Sequence, residues 1–130
     1  MLTESMKKMV ETVHHAFVAS SGADGMPHLA AAEAVSVPDL QRLRFEAWFC
    51  PTTLRNVSVN PIVAVAVADP ASGQGFQFVG RVETVEETAM MDGFLPDEPP
   101  GMPQVETRMT VLVECVMEFT AGAHTDQPLG

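Results

Sequence analysis

The sequence predicts a mainly β domain, a small six-stranded antiparallel barrel with short helices. Three observations predict it. The turn signals Asp24-Gly25 and Pro38-Asp39 punctuate three successive strand-like runs, the pattern of an antiparallel meander. The run Ile62-Val63-Ala64-Val65-Ala66-Val67-Ala68 is apolar on both faces, as a central strand is. A chain of 130 residues, 46% of them hydrophobic, has enough apolar material for one packed core and too much for disorder. We therefore expect a single domain over residues 1–130, with 120–130 as a loose polar tail in which His124 is held.

The elements follow in order. Residues 3–13 read as a helix: Thr3 caps it, and Met6, Met9, Val10 and Val13 recur on one face. Met6 stands where a capping box would want Glu or Gln. Residues 16–20 read as a short strand, 26–37 as a long one ending in Val35-Ser36-Val37, and 42–50 as the next. Residues 52–60 read as a short helix capped by a hydroxyl residue, with Leu54 and Val57 inward and Asn60-Pro61 as its stop. After strand 62–68, Asp69 to Gly73 form a loop. Residues 76–86 read as a strand and 87–92 as a brief helical turn. Residues 96–103 carry four prolines and read as an excursion without regular structure. Residues 109–119 form the last strand. A short helix crossing between strands in mid-sequence suits a small barrel. A domain of this size often pairs with a copy of itself, and a groove between copies is a natural ligand site.

Charge and composition exclude several classes of function. Seven basic against 17 acidic residues give a net charge of −10. Such a surface repels nucleic acid and anionic lipid, whose binding rests on Lys and Arg contacts to phosphate. No apolar run approaches the roughly 20 residues that span a bilayer, and the polar N-terminus lacks the pattern of a secretory signal. The expected location is the cytoplasm, where Cys50 and Cys115 stay reduced.

The chemistry-bearing candidates are few. A strand running into Thr52-Thr53 at a helix start presents free N–H groups and a positive dipole end to an anion, and Arg55 adds a full charge. Taken alone, this pattern is more often an ordinary cap. His28 on a strand can stack on or hydrogen-bond a ligand. The neighbours His14 and His15 point about 100° apart on a helix and do not chelate together, so no metal site is expected. Glu33 and Glu46 sit in strands, where surface carboxylates are far commoner than acid–base pairs. Ser20-Ser21 lacks the frame of a hydrolase elbow, and no dinucleotide or Walker-type glycine loop occurs. No catalytic residue can be named.

Taken in order, these pieces resemble the flavin-binding split-barrel proteins of the pyridoxamine 5'-phosphate oxidase-like family. The residues that carry the resemblance are Asp24-Gly25-x-Pro27-His28, Phe45 and Phe49 at a strand end, Thr53 and Asn56 in the helix, and Asn60-Pro61 before a Val-rich strand. Gly75-Phe76-Gln77-x-x-Gly80, Asp92-Gly93-Phe94, Pro103-Gln104-Val105-Glu106 and Ala123-His124-x-Asp126 complete the set. The resemblance implies a six-stranded split barrel that dimerises, with FMN in two grooves between the subunits. It places the phosphate at Thr52, Thr53 and the helix N-terminus. The isoalloxazine ring would lie along Ala32 and Glu33 and beside Phe49, Cys50 and Pro51, with Gln77 approaching from the next strand. Many relatives carry Lys where this chain has Thr52, so Arg55 or a partner-chain Arg has to supply the charge. The chain is too short for the basic C-terminal segment of pyridoxamine-phosphate oxidase itself, so that reaction is not expected. The implied function is a homodimeric FMN-binding redox protein, a small flavin reductase or oxidase or an electron carrier, with an unknown redox partner. The alternatives are a haem-binding or haem-handling relative with His28 or His124 as axial ligand, a cofactor-free dimeric interaction or sensing module, and a deazaflavin protein.

Overall fold

The structure is a computed structural model that describes residues 2–48, 50–92, 103–122 and 125–129. At Ala47, residues 89–92 and residues 103–105 it describes the backbone alone. The elements are α1 (Glu4–Val13), β1 (Ala16–Ser21), β2 (Pro27–Ala32), β3 (Val35–Asp39), β4 (Arg42–Trp48), α2 (Pro51–Val59), β5 (Ile62–Ala68), β6 (Gly75–Asp92) and β7 (Pro103–Glu118). All pairings are antiparallel, in one sheet of order β2-β1-β5-β6-β7-β4-β3. The expected mainly β barrel with short helices is what forms.

The expected long strand 26–37 is two strands at opposite ends of this sheet, joined only by Glu33 and Ala34. The bend between them carries the chain from one sheet edge to the other and rolls the sheet into a barrel. Two hydrogen bonds fix the bend: the first extends the β3–β4 pairing into it, and the second joins β4 to β2. Glu46 N–H donates to the Ala34 carbonyl at 3.1 Å, and Trp48 Nε1–H donates to the Ala31 carbonyl at 3.0 Å. β1 and β2 form one hairpin and β3 and β4 another, so the three-strand meander is replaced by two hairpins. The sequence signal was ambiguous because Ala30-Ala31-Ala32 and Val35-Ser36-Val37 both fit strands, and no Gly or Pro marks the bend.

The core is the barrel interior. Leu43, Phe45, Val65, Val67, Phe78, Met109 and Val111 are fully buried there, and α1 adds Met6 and Val10. Such burial stabilises by about 1.5–3 kcal/mol per large side chain. In α1, the Thr3 hydroxyl accepts from the Met6 N–H at 3.1 Å, and the Met6 thioether accepts from the Thr3 N–H at 3.5 Å. Methionine thus completes a capping box where a carboxylate or amide was expected.

Three further expectations are corrected. Residues 87–92 continue β6 instead of forming a helical turn, because they pair with the start of β7 (Glu87↔Thr107, Asp92↔Pro103). Cross-strand pairing overrides the weak local preference of a polar segment. β7 accordingly begins at Pro103, inside the expected irregular stretch, whose residues 96–102 lie outside those described. The C-terminal tail is not loose over 125–129: Glu118 N–H donates to Gln127 O at 2.9 Å and Leu129 N–H to Val116 O at 2.8 Å. This short return covers the end of β7 beyond its pairing with β4, an edge that would otherwise stay open.

Candidate functional site

The β4–α2 junction and the β2–β3 bend lie side by side because Trp48 ties one to the other. Trp48 is 7% exposed and packs on Phe45 with ring centroids 5.3 Å apart. Against this corner lies a groove of about 580 Å³ lined by Ala31, Ala32, Glu33, Ala34, Glu46 and Trp48, with His15, Ala16 and Phe17 alongside β2. Two of the sequence candidates, Ala32 and Glu33, therefore share one cavity with Glu46. Ala32 is buried and Glu33 is exposed. Glu46 accepts from Arg108 Nε at 2.9 Å, and this bond is the main reason the guanidinium is held above its ordinary pKa. Arg108 also faces Glu86 at 3.9 Å.

α2 begins at Pro51, three residues beyond Trp48. The expected hydroxyl cap is absent: the cap position is Cys50, which makes no side-chain cap bond, and Pro51 is the first helical residue. Proline suits that position because its missing N–H would have no acceptor there. The Thr52 and Thr53 N–H groups follow, in the first turn and without a side-chain cap, before Leu54 N–H closes on Cys50 O at 2.9 Å. Thr52 Oγ1 accepts from Arg55 Nη2 at 3.3 Å, so a hydroxyl and a guanidinium stand together at the surface of the helix start. Thr53 is fully buried, and its Oγ1 has no hydrogen-bond partner among the described residues. Its hydroxyl is thus enclosed, while Thr52 and Arg55 face outward. Burial pushes the Cys50 thiol above its ordinary pKa.

The helix is docked onto β1 by polar contacts. Asn56 Nδ2 donates to Ser20 Oγ and Asn60 Nδ2 to Ser21 Oγ, each at 3.1 Å. Gly22 admits Asn56 at close range, since a Cβ there would fall within 3.0 Å of the Asn56 amide oxygen. Asn56 and the C-cap residue Asn60 thus anchor the C-terminal half of α2 on β1.

The remaining candidates are dispersed. His28 is half-buried on β2, opposite Ser20 and four residues before Ala32. Gln77 lies on the outer face of β6, where its Nε2 donates to Met117 Sδ at 3.4 Å. It lines a separate groove of about 320 Å³ with Phe17, Ala19, Leu29, Ala64, Ala66 and Phe119, so one subunit does not bring it to Ala32 and Glu33. Phe49 and His124 lie outside the described residues. A groove of about 700 Å³ between α1 and Asp69-Pro70 shares His15 and Phe17 with the first groove but contains none of the other candidates. Among the described residues, no group of three His, Cys, Asp or Glu side chains is placed to hold a metal ion. No helix among them is long and apolar enough to cross a membrane.

Sequence reasoning missed Trp48, His15 and Phe17 as groove residues. Trp48 carried a signal, being the only tryptophan of the chain and directly preceding Phe49. His15 and Phe17 carried none, because they reach the groove only through the pairing of β1 with β2.

Comparison with known proteins agrees with this architecture. Residues 2–110 match the family model described as pyridoxamine 5'-phosphate oxidase. An uncharacterised protein of Methanocaldococcus jannaschii is 33% identical over 88 residues, which is 66% of this chain and 58% of that protein. The match thus spans little more than half the length of that curated relative. Among solved structures, Group A Streptococcus HupZ superposes with a TM-score of 0.72 at 19% identity, covering 98% of this chain and 99% of that one. A structure named F420 reductase superposes with a TM-score of 0.65 at 22% identity, covering 88% and 98%. An FMN-binding protein from Syntrophomonas wolfei gives 0.62 at 8% identity, covering 91% and 86%. At these identities the structures share the fold alone. With a family model matched over most of its length, the chain belongs to the pyridoxamine 5'-phosphate oxidase family.

Proposed function

We propose that this protein is a homodimeric, cytoplasmic FMN-binding redox protein, a small flavin reductase or oxidase or an electron carrier. The observation that carries the reading is the uncapped start of α2 beside the Trp48 groove. The Thr52 and Thr53 N–H groups, the Thr52 hydroxyl and Arg55 form a donor set of the kind a phosphate accepts. The orphaned Thr53 Oγ1 lies in the same helical turn. The groove supplies an apolar floor of Ala32 and Trp48 for a flat ring. The residues present therefore fit a flavin mononucleotide. When bound, the flavin would supply the redox chemistry, while the protein binds and orients it and keeps water from the ring. The names of the F420 reductase and the Syntrophomonas protein add that this fold accommodates flavin-type cofactors.

The dimer has its own support. The outward side chains of β2, β1 and β5 are Leu29, Ala31, Phe17, Ala19, Ala66, Ala64 and Ile62, continued by Val79 on β6 and Cys115 and Met117 on β7. Leu29, Phe17 and Ile62 are 65%, 50% and 39% exposed, and the charged pair at the margin of these rows, Arg81 and Glu114, is 3.5 Å apart. A contiguous apolar sheet face of this kind marks an interaction surface, and a second copy offers the same face. A dimer through it would bring the partner's groove lined by Phe17 and Gln77 toward each site.

Titration of the purified protein with FMN, followed by absorbance and by co-elution on gel filtration, tests the reading. One FMN per chain on a particle of twice the chain mass supports it. A colourless protein that leaves FMN free at tens of micromolar overturns it. A deazaflavin and haem titrated in parallel identify a different cofactor if one binds in place of FMN.

A further inference from the structure

The groove beside Trp48 carries an uneven charge. Glu33 and Glu46 both line it. Arg108 neutralises Glu46 in part, but it is shared with Glu86. Among the described residues His15 is the only other ionisable group on the wall, and the outward cation of α2, Arg55, is held at the helix start with Thr52. The end that suits a flat ring is therefore net negative, while the end that suits a phosphate is positive.

This asymmetry rests on no contact to the phosphate, and so it discriminates between states of the ring. Oxidised flavin has an uncharged ring. Two electrons and one proton convert it to the reduced anion, which carries one additional negative charge. We propose that Glu33 and Glu46 make this groove hold the oxidised ring more tightly than the reduced one, so that flavin bound here is a stronger reductant than free flavin. The inference rests on the FMN-binding reading of the site. Its physical basis is Coulomb repulsion between a carboxylate and an anionic ring in a partly desolvated groove, where such interactions are stronger than in water. By linkage, the logarithm of the ratio of the two dissociation constants sets the shift in potential.

The test uses the full-length protein loaded with FMN. Affinities of oxidised FMN and of FMN reduced by dithionite, which supplies the electrons, are measured under anaerobic conditions. The potential is measured independently against a reference dye. We expect reduced FMN to bind at least about tenfold more weakly, equivalent to a two-electron potential about 30 mV more negative than free FMN. Glu33→Gln should recover several-fold of that difference, and Glu33→Gln with Glu46→Gln most of it. Glu4→Gln, at the exposed start of α1 beside the far end of β3, should leave it unchanged. Glu33 is exposed at the bend and its substitution should not disturb folding. As a second measure on the unmodified protein, the affinity ratio should shrink as ionic strength rises. Equal affinities for the two states, or a ratio untouched by both Glu substitutions and by salt, overturn the inference while leaving FMN binding intact. Absence of binding to either state overturns the functional reading, and the inference falls with it.

Discussion

Replacing Trp48 by Phe should damage both the barrel and its groove, and the size of the effect follows from two losses. The first is the hydrogen bond from Trp48 Nε1 to the Ala31 carbonyl, 3.0 Å long, which joins β4 to β2 across the seam of the barrel. A hydrogen bond of this kind contributes about 1 kcal/mol net. Ala31 lies at the surface, so water can replace the donor and the larger penalty of an orphaned buried carbonyl does not apply. The second loss is buried ring area. Phenyl in place of a 7% exposed indole gives up roughly 40 Å², or about 1 kcal/mol at 25 cal/mol/Å². The stacking on Phe45 is retained by a phenyl ring. The sum is about 2 kcal/mol, to be read as a lower midpoint in urea at fixed protein concentration, followed by circular dichroism because the variant has no tryptophan. FMN affinity should fall with it, since Trp48 forms part of the groove floor. A change under about 0.5 kcal/mol together with unaltered FMN affinity would refute the claim that Trp48 closes the seam and shapes the site.

Other perturbations act on separate parts of the account. A Cβ at Gly80 would come within 3.0 Å of the Leu112 backbone carbonyl at the β6–β7 bulge, so Gly80→Ala should cost at least about 2 kcal/mol or abolish folding; a soluble variant with an unchanged melting midpoint would contradict that packing. Arg55→Ala should weaken FMN binding about tenfold and Thr52→Lys should strengthen it, both effects fading in high salt; insensitivity of both variants would remove the helix start from the site. Burial raises the Cys50 thiol pKa, so the neutral thiol is favoured in the folded protein and its contribution to stability is present below the ordinary thiol range. That contribution is lost as pH rises through the raised value, and alkylation of Cys50 by iodoacetamide should accelerate only at a pH above that of a free thiol.

Much of the fold was readable because local signals agreed with each other. Thr3 and the spacing of Met6 and Val10 give α1, Asp24-Gly25 gives the β1–β2 hairpin, and Asn60-Pro61 ends α2. The bend at Glu33-Ala34 was not readable, because the residues that enforce it, Glu46 and Trp48, belong to another strand. β6 and β7 were read too short because their outer ends are held by each other and not by local preference. β5 looked apolar on both faces for a reason the sequence leaves hidden: Val63, Val65 and Val67 fill the core, while Ile62, Ala64 and Ala66 join the outward apolar face. At the site, Ala32, Glu33, Cys50, Pro51, Thr52 and Arg55 fall on the adjoining bend and helix start. Gln77 falls elsewhere because strand order, not chain distance, decides which groove a residue meets. Thr53 fits the sequence pattern of an anion contact, yet its hydroxyl is enclosed, a distinction that only burial reveals.

The central claim is that the start of α2 and the Trp48 groove together hold FMN. The most direct measurement is an absorbance and gel-filtration titration of the purified protein with FMN, run beside Arg55→Ala. The account predicts one flavin per chain, a perturbed flavin spectrum, co-elution with the protein and clear weakening in the variant. An unperturbed spectrum, with FMN eluting apart from a folded protein, would contradict it.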